Sequence, residues 1–307
     1  MSRCIVAATA MVVLDRDKRL ALAFLALGAL SGGLASIFIR LCRYPAPAVA
    51  SLRMLLAGLV LLPFCWGQLR RLWAERGLKG LLPLILPGLA LAAHFQSWVA
   101  GVRLTSVANA TFLVSISPVF FALFERFVRR HRIPPYGLAA LALGLAGAVW
   151  LLLAGRGRLG RLGDLACLAG TLLFVVYLLA SRRYSAGVPT LVFVHLIYFW
   201  GGLASLPIAL IRGDLAAVRP ADIGSLLALL GLVALPTLVG HTAVNYGVRH
   251  LTPLTVSFFS LAEPLVATTA AALLLSEPLE PRELPAYGLL LGSTLLYLLF
   301  LVRRREA

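Results

Sequence analysis

Carboxylates are scarce in this sequence. Twelve Asp and Glu side chains serve 307 residues, and charged residues of both signs make up only 13%. A soluble domain carries about 25%. The chain is 61% hydrophobic with a mean hydropathy of +0.94, more apolar side chain than a soluble core of this length absorbs. The solvent it fits is lipid. Cysteine is sparse too: Cys4, Cys42, Cys65 and Cys167, with no C-x-x-C pair. That excludes a disulfide framework and a cysteine metal knot. There is no H-E-x-x-H, no P-loop, no G-x-S-x-G and no cluster of carboxylates, and the histidines are scattered without metal-ligand spacing. An enzyme, a bound cofactor, a metal centre and a nucleotide-driven pump are therefore not expected. The apolar stretch in "MSRCIVAATAMVVLDRDKR" is too short to span and lacks a clear cleavage site, so no signal peptide is expected, and Met11 is an alternative start.

What the sequence has in abundance is long apolar runs. A bilayer-spanning helix needs about 20 mostly apolar residues. Ten such runs are found, at 20–41, 46–67, 81–102, 104–124, 136–154, 163–181, 190–211, 222–247, 251–276 and 284–302. They are continuous rather than alternating, which predicts helices and not barrel strands. The expected fold is all-α and integral to the membrane.

The net charge of +16 does not imply nucleic acid, because the basic residues sit in short clusters between spans, such as "RRHR" at 129–132 and "RRR" at 303–305. Lys and Arg are retained on the cytoplasmic side. Placing the N-terminus inside puts 18 of the 28 basic residues inside and 9 outside, with Arg53 within a span. Both termini are expected in the cytoplasm of a cell with a bacterial-type inner membrane, with 1–19 and 303–307 as cytoplasmic segments. The "RGRLGR" loop at 156–161 runs against this bias.

A shift of 146 residues lays "GVRLTSVANATFLVSISP" (101–118) on "GVRHLTPLTVSFFSLAEP" (247–264). Gly101, Val102, Arg103, Phe112 and Pro118 meet Gly247, Val248, Arg249, Phe258 and Pro264. Five spans separate equivalent points. Five is odd, so the second unit (163–302) would enter the membrane upside down relative to the first (20–154). Inverted repeats of this kind are a common plan of secondary transporters, with the site near the midplane at the repeat interface. Small residues at four-residue spacing, namely Gly28, Gly32 and Ser36, then Ala140, Gly144 and Ala148, then Gly288 and Gly292, suit close helix packing. They serve static contacts, rocking faces or the pairing of two copies in a homodimer.

One carboxylate lies deep in a span: Glu263 in "FFSLAEPLVATTAAALLL" (258–275), followed by Pro264. A charge there is costly, and it is kept where it faces a polar cavity, finds a partner or holds a proton. Ser257, Ser260, Glu263, Ala267 and Ala270 share one helical face. Pro264 frees a carbonyl about one turn earlier, near Ser260, and Pro118 holds the equivalent place in the first unit, with Ser117 at the position of Glu263. The bland alternative is a packing kink. Arg53, about two turns into its span, either balances an anionic substrate, pairs with Glu263, or snorkels to headgroups. His94 and Trp98, with Gln96, lie in "AHFQSWVAG", and His241, Asn245 and Tyr246 in "GHTAVNYGV". Histidine carries protons near neutral pH, though a lone one in a membrane is more often a helix contact. Asn109 would bond a neighbour or a substrate. Tyr177, Tyr198, Trp200 and Tyr246 could line a pocket but are more often packing aromatics, and His195 reads as interfacial.

These features resemble the drug/metabolite transporter superfamily in its EamA-domain branch. The resemblance rests on "HFQSWVAGVRLTSVANATFLVSISPVFFALF" and, more closely, on "GHTAVNYGVRHLTPLTVSFFSLAEPLVATTAAALLLSEPL", and runs from about residue 20 to 302. There are departures. Ala262-Glu263-Pro264 stands where the family commonly has Gly-Glu-Pro. Ser276-Glu277 and Arg130-His131 stand where it commonly has Gly-Glu, and Glu125 comes six residues early. The resemblance implies a permease for secondary transport, often efflux, of amino acids, other metabolites or toxic compounds. The expected partners are a small-molecule substrate and the lipid bilayer. The competing expectation is a membrane scaffold or lipid-handling protein.

Overall fold

The computed structural model describes residues 15–154, 161–276 and 280–303. Outside them lie residues 1–14 with Cys4 and Met11, most of the "RGRLGR" loop, Glu277 and the tail at 304–307. Among the described residues every regular element is a helix and none is a strand. Nine helical runs among the described residues are long and apolar enough to cross a membrane by length and composition.

The elements in chain order are α1 (Arg16–Gly33), α2 (Ala35–Leu41), α3 (Ala46–Leu81), α4 (Ile85–Leu104), α5 (Val107–Ser115), α6 (Ser117–Leu123) and α7 (Pro135–Ala154). They continue as α8 (Arg161–Tyr184), α9 (Thr190–Ile211), α10 (Ile223–Leu232), α11 (Thr242–His250), α12 (Pro253–Phe259), α13 (Glu263–Leu274) and α14 (Leu284–Arg303). A π-helical stretch, Val233–His241, joins α10 to α11.

Helices α3 and α4 form one run of 59 residues, Ala46–Leu104. A straight helix of that length would be about 90 Å long, three times a bilayer core. Its two ends nonetheless meet: the Arg103 guanidinium donates to the Cys42 carbonyl at 2.7 Å, and Arg40 donates to the Thr105 carbonyl. The run therefore doubles back. The reversal lies at Gly77 (φ 60°, ψ −172°), a conformation that costs glycine little.

Local chemistry recurs at fixed spacing. Ser106 caps α5 by accepting from the Asn109 amide at 3.1 Å, and Thr252, 146 residues on, caps α12 by accepting from the Thr255 amide at 3.1 Å. Arg249, 146 residues after Arg103, donates to the Val188 carbonyl at 2.6 Å, and Val188 is 146 residues after Cys42. The helix through α5 and α6 breaks at Ile116, and that through α12 and α13 breaks at the tight turn Ser260–Ala262. Helices α3 and α9 match at a shift of 144, with N-cap prolines Pro45 and Pro189 and interior prolines Pro63 and Pro207.

Three pairings hold the bundle: α4 along α8, α3 along α9 and α7 along α14. Helix α1 packs along the π-helical stretch and α11. Helices α4 and α9 approach closely, since a β-carbon on Gly201 would lie 2.5 Å from the Gly88 carbonyl oxygen. The Ala140–Ala148 stripe meets α14 within the chain, since a β-carbon on Gly144 would sit 2.9 Å from Ser293 Oγ.

Candidate functional site

The two helix breaks meet at the centre of the bundle. Ser117 Oγ, at the start of α6, lies 3.2 Å from Ser260 Oγ in the turn before α13. The turn resolves the backbone problem that Pro264 poses: the Glu263 amide donates to the Ser260 carbonyl, and Pro264 sits in the first turn of α13, where its missing N–H costs nothing. The break thus aims Glu263 from a helix N-terminus, the end that favours negative charge.

Glu263 lies against α1. A β-carbon on Gly32 would be 3.2 Å from its Oε1, so glycine is what leaves room for the carboxylate. Both line a central cavity of about 60 Å³, together with Arg53, His94, Trp98 and His241. That volume holds a few water molecules and is well below the roughly 300 Å³ of a small ligand pocket. Admitting a solute requires the surrounding helices to separate.

Arg53 is 1% exposed, so it does not snorkel to headgroups. Its Nε donates to Thr237 Oγ1 at 3.1 Å, and its guanidinium carbon sits 3.7 Å from the centroid of the Phe95 ring. Among the described residues it makes no ion pair with Glu263, though both face the same cavity. Thr237 has a second task. Pro236 cannot donate to the Leu232 carbonyl, and the Thr237 hydroxyl does so instead, at 2.8 Å. Tyr198 closes the cluster by donating to the Thr237 carbonyl at 3.0 Å. π-Helical segments of this kind cluster at functional sites.

His94 Nδ1 lies 2.7 Å from the Gly170 carbonyl oxygen, the ordinary helix contact. The His241 ring meets the edge of Phe95 at 4.8 Å between centroids, and His94 at 5.9 Å. Three buried polar atoms on the cavity wall have no partner among the described residues: Arg53 Nη2, His241 Nδ1 and Ser36 Oγ. Buried polar groups are nearly always satisfied, and the cavity beside these three has room for water.

Other expected residues fall elsewhere. Asn245 donates to Tyr177 Oη and, at 2.7 Å, to the His241 carbonyl, so it shapes the wall from behind. Asn109 lies toward the Cys42 end, where its Nδ2 donates to Asp164 Oδ1 at 3.3 Å, beside Thr105 Oγ1, which donates to the same oxygen at 2.6 Å. Tyr246 faces Phe24 and His250 away from the cavity. Pro118 supports the break at Ser117. His195, read as interfacial, is 4% exposed, with Nδ1 2.8 Å from the Gly58 carbonyl oxygen. His131 folds back on Glu125, their Nδ1 and Oε2 3.1 Å apart, so the early glutamate and the His at the family's Gly-Glu position are neighbours. The expectation missed Phe95, Phe174, Ser36, Thr111 and Thr237. Thr237 left a signal, a hydroxyl directly after a proline within an apolar run.

Fold and cavity together define a polytopic helical membrane protein with ionisable groups gathered at its centre. The chain belongs to the EamA-like transporter family, whose profile matches residues 19–153 and again 161–299. It is a membrane transporter, multi-pass in the cytoplasmic membrane. It is 28% identical over 277 residues to an uncharacterized transporter of Archaeoglobus fulgidus, covering 89% of this chain and 94% of that one. It is 35% identical over 102 residues to the aromatic amino acid exporter YddG of Ancylobacter novellus, covering 32% of this chain and 35% of that one. A solved crystal structure shares the fold, with a TM-score of 0.69 at 20% identity over 92% of this chain and 97% of that one.

Proposed function

We propose that the protein is a secondary transporter that exports a small amphipathic, amino-acid-like solute by alternating access through the central cavity. The observation that carries this reading is the cavity wall, where Glu263 faces a space bordered by the unpartnered Arg53 Nη2, His241 Nδ1 and Ser36 Oγ. A zwitterion has an ammonium for Glu263 and a carboxylate for Arg53, and an apolar body suits Phe95, Trp98 and Phe174. The partial match to an aromatic amino acid exporter favours the same substrate class.

The architecture of this proposal is ten crossings, with α3 and α4 counted separately, in two inverted five-helix units at 20–154 and 163–302. Both termini face the cytoplasm, the Cys42 end faces out and the Val188 end faces in. The doubled-back run, the hydrogen bonds that recur at a shift of 146 and the twofold family match support it. Arg103 on Cys42 and Arg249 on Val188 then act as latches on opposite faces, and each must open in turn. Glu263 couples the cycle by taking a proton when the solute leaves and releasing it when the next one binds.

The test is flux of an amino-acid panel in proteoliposomes, with and without a pH gradient, for wild type and Glu263→Gln. Gradient-driven flux should fall at least about tenfold in the variant, the effect of losing about 1.4 kcal/mol of coupling, while solute binding persists. Unchanged gradient-driven flux would remove Glu263 from the mechanism.

A further inference from the structure

A second cavity lies far from the central one. Helix α3 runs on past the bilayer-spanning length, and Gly77 turns the chain back so that Leu78–Ile85 lies beside it. Between α3, this return segment and α9 is a space of about 460 Å³, within the range of small-ligand pockets. Its wall includes Trp66, Trp73, Phe199, Trp200, His195 and Arg70. Three of the chain's five tryptophans are therefore in one place. Trp66 and Trp73 lie 20 and 27 residues beyond Ala46, about 30–40 Å along the helix. That is the far headgroup level for a helix entering at the Cys42 end, the depth where tryptophan concentrates.

The charge at this mouth has one sign. Residues 70–79 carry Arg70, Arg71, Arg76 and Lys79 against Glu75 alone. Arg76 is engaged, donating to the Gly187 carbonyl at 2.8 Å. His195 directs Nδ1 to the Gly58 carbonyl oxygen, which leaves Arg70 as the cation on the wall. An apolar aromatic slot with a cation at its rim matches one amphiphile: an acyl chain below, a phosphate above.

We propose that this cavity is a binding site for one anionic phospholipid of the leaflet at the Gly77 end, its acyl chain between Trp66, Trp73 and Trp200 and its headgroup phosphate on Arg70. The site is separate from the transport cavity. It wedges lipid between α3 and α9, which Gly58 and Gly202 let pack closely, and so ties the motion of that pair to lipid composition.

The experiment is tryptophan quenching by dibrominated lipids in phosphatidylcholine vesicles. The Trp150→Phe protein is used, because Trp150 is half-exposed on α7 and would add background. At equal mole fraction, dibromo-phosphatidylglycerol should quench more than dibromo-phosphatidylcholine, with a local enrichment of about fivefold, the factor expected for one cation near the surface. Arg70→Gln should remove the excess and Arg70→Lys should keep most of it. Arg70 is exposed, so these changes leave the bundle intact. Equal quenching by the two lipids, or an excess that survives Arg70→Gln, would overturn the proposal. Loss of the excess on adding inorganic phosphate would reassign the site to free phosphate.

Discussion

Arg103 and Arg249 make the same hydrogen bond 146 residues apart, each to a carbonyl at a like position. Ser117 and Glu263 are matched by the same shift and carry different chemistry. The ends of the two units agree and the middle does not. Cys42 pairs with Val188, Ser106 with Thr252, and both broken helices restart at a matched residue. At the centre, His94 corresponds to Gly240, Thr237 to Leu91 and His241 to Phe95. The last two meet edge to face. Under the proposed function the contrast has a physical reason. An alternating device needs equivalent closures on both faces, so the closures can stay alike. A solute with unlike ends needs a site with unlike walls, so the centre must diverge.

The most severe way to break this comparison is to move the acid to the other unit. In the double variant Ser117→Glu with Glu263→Ser, the carboxylate would stand at a fully buried position whose polar neighbour is Ser260, away from the Gly32 gap. A charge at the membrane centre without its partners costs about 3 kcal/mol, roughly a hundredfold. Flux in proteoliposomes should drop to background while the purified variant stays monodisperse. A variant that transports at even a tenth of the wild-type rate would mean that the centre is as symmetric as the ends.

The latches sharpen the comparison, because the two changes should have opposite signs. A hydrogen bond from a charged donor contributes about 1.5–3 kcal/mol. Arg103→Gln should favour opening at the Cys42 end and Arg249→Gln at the Val188 end. Cys42 is a natural probe, since it is buried and carries the latch carbonyl. Its rate of labelling by a membrane-impermeant maleimide, added from the Cys42 side, should rise about tenfold or more in Arg103→Gln and fall in Arg249→Gln. Equal changes in the same direction would show that both arginines merely stabilise the fold.

How far this was legible beforehand follows the range of the interactions. Glu263-Pro264 and the shift of 146 are local strings, so they could be read directly. The helices, their caps and the break at Pro264 also follow from neighbouring residues. The cavity wall does not. Arg53 meets Thr237 across 184 positions, and His94 meets Gly170 across 76. Hydropathy says that Arg53 is in a span but not which way it points, which is why snorkelling stood as an alternative. The same limit hid the partner of His195, the Gly58 carbonyl on another helix. The π-helical stretch leaves only the weak sign of Pro236 and Thr237.

Thr237 gives the next effect in size, and it is confined to one unit. Thr237→Val strips the partner from Arg53 Nε and from the Leu232 carbonyl in a fully buried place. Leaving such groups unsatisfied costs about 1–3 kcal/mol. The melting temperature in detergent should fall by several degrees. Leu91→Val at the matched position removes only apolar volume, with a cost nearer 1 kcal/mol. If the two losses were equal, the polar role of Thr237 would be refuted.

The smallest effects should fall on the helix caps, where the two units agree most closely. Ser106 and Thr252 each accept from the amide three residues on, both at 3.1 Å. Replacing either by alanine removes one bond of a kind contributing about 1 kcal/mol. Ser106→Ala and Thr252→Ala should therefore lower the melting temperature by similar small amounts. Their effects should add in the double variant, because the caps have no shared partner. The match cannot be perfect: the Thr252 hydroxyl also lies 2.8 Å from Thr255 Oγ1, whereas Asn109, the residue matched to Thr255, turns its amide toward Thr105 and Asp164. Thr252→Ala should thus be the costlier of the two by a few tenths of a kcal/mol. A Ser106→Ala loss several times larger would mean that the cluster around Asp164 has made the Cys42 end the stiffer closure, and the symmetry of the ends would fail at its best-matched point.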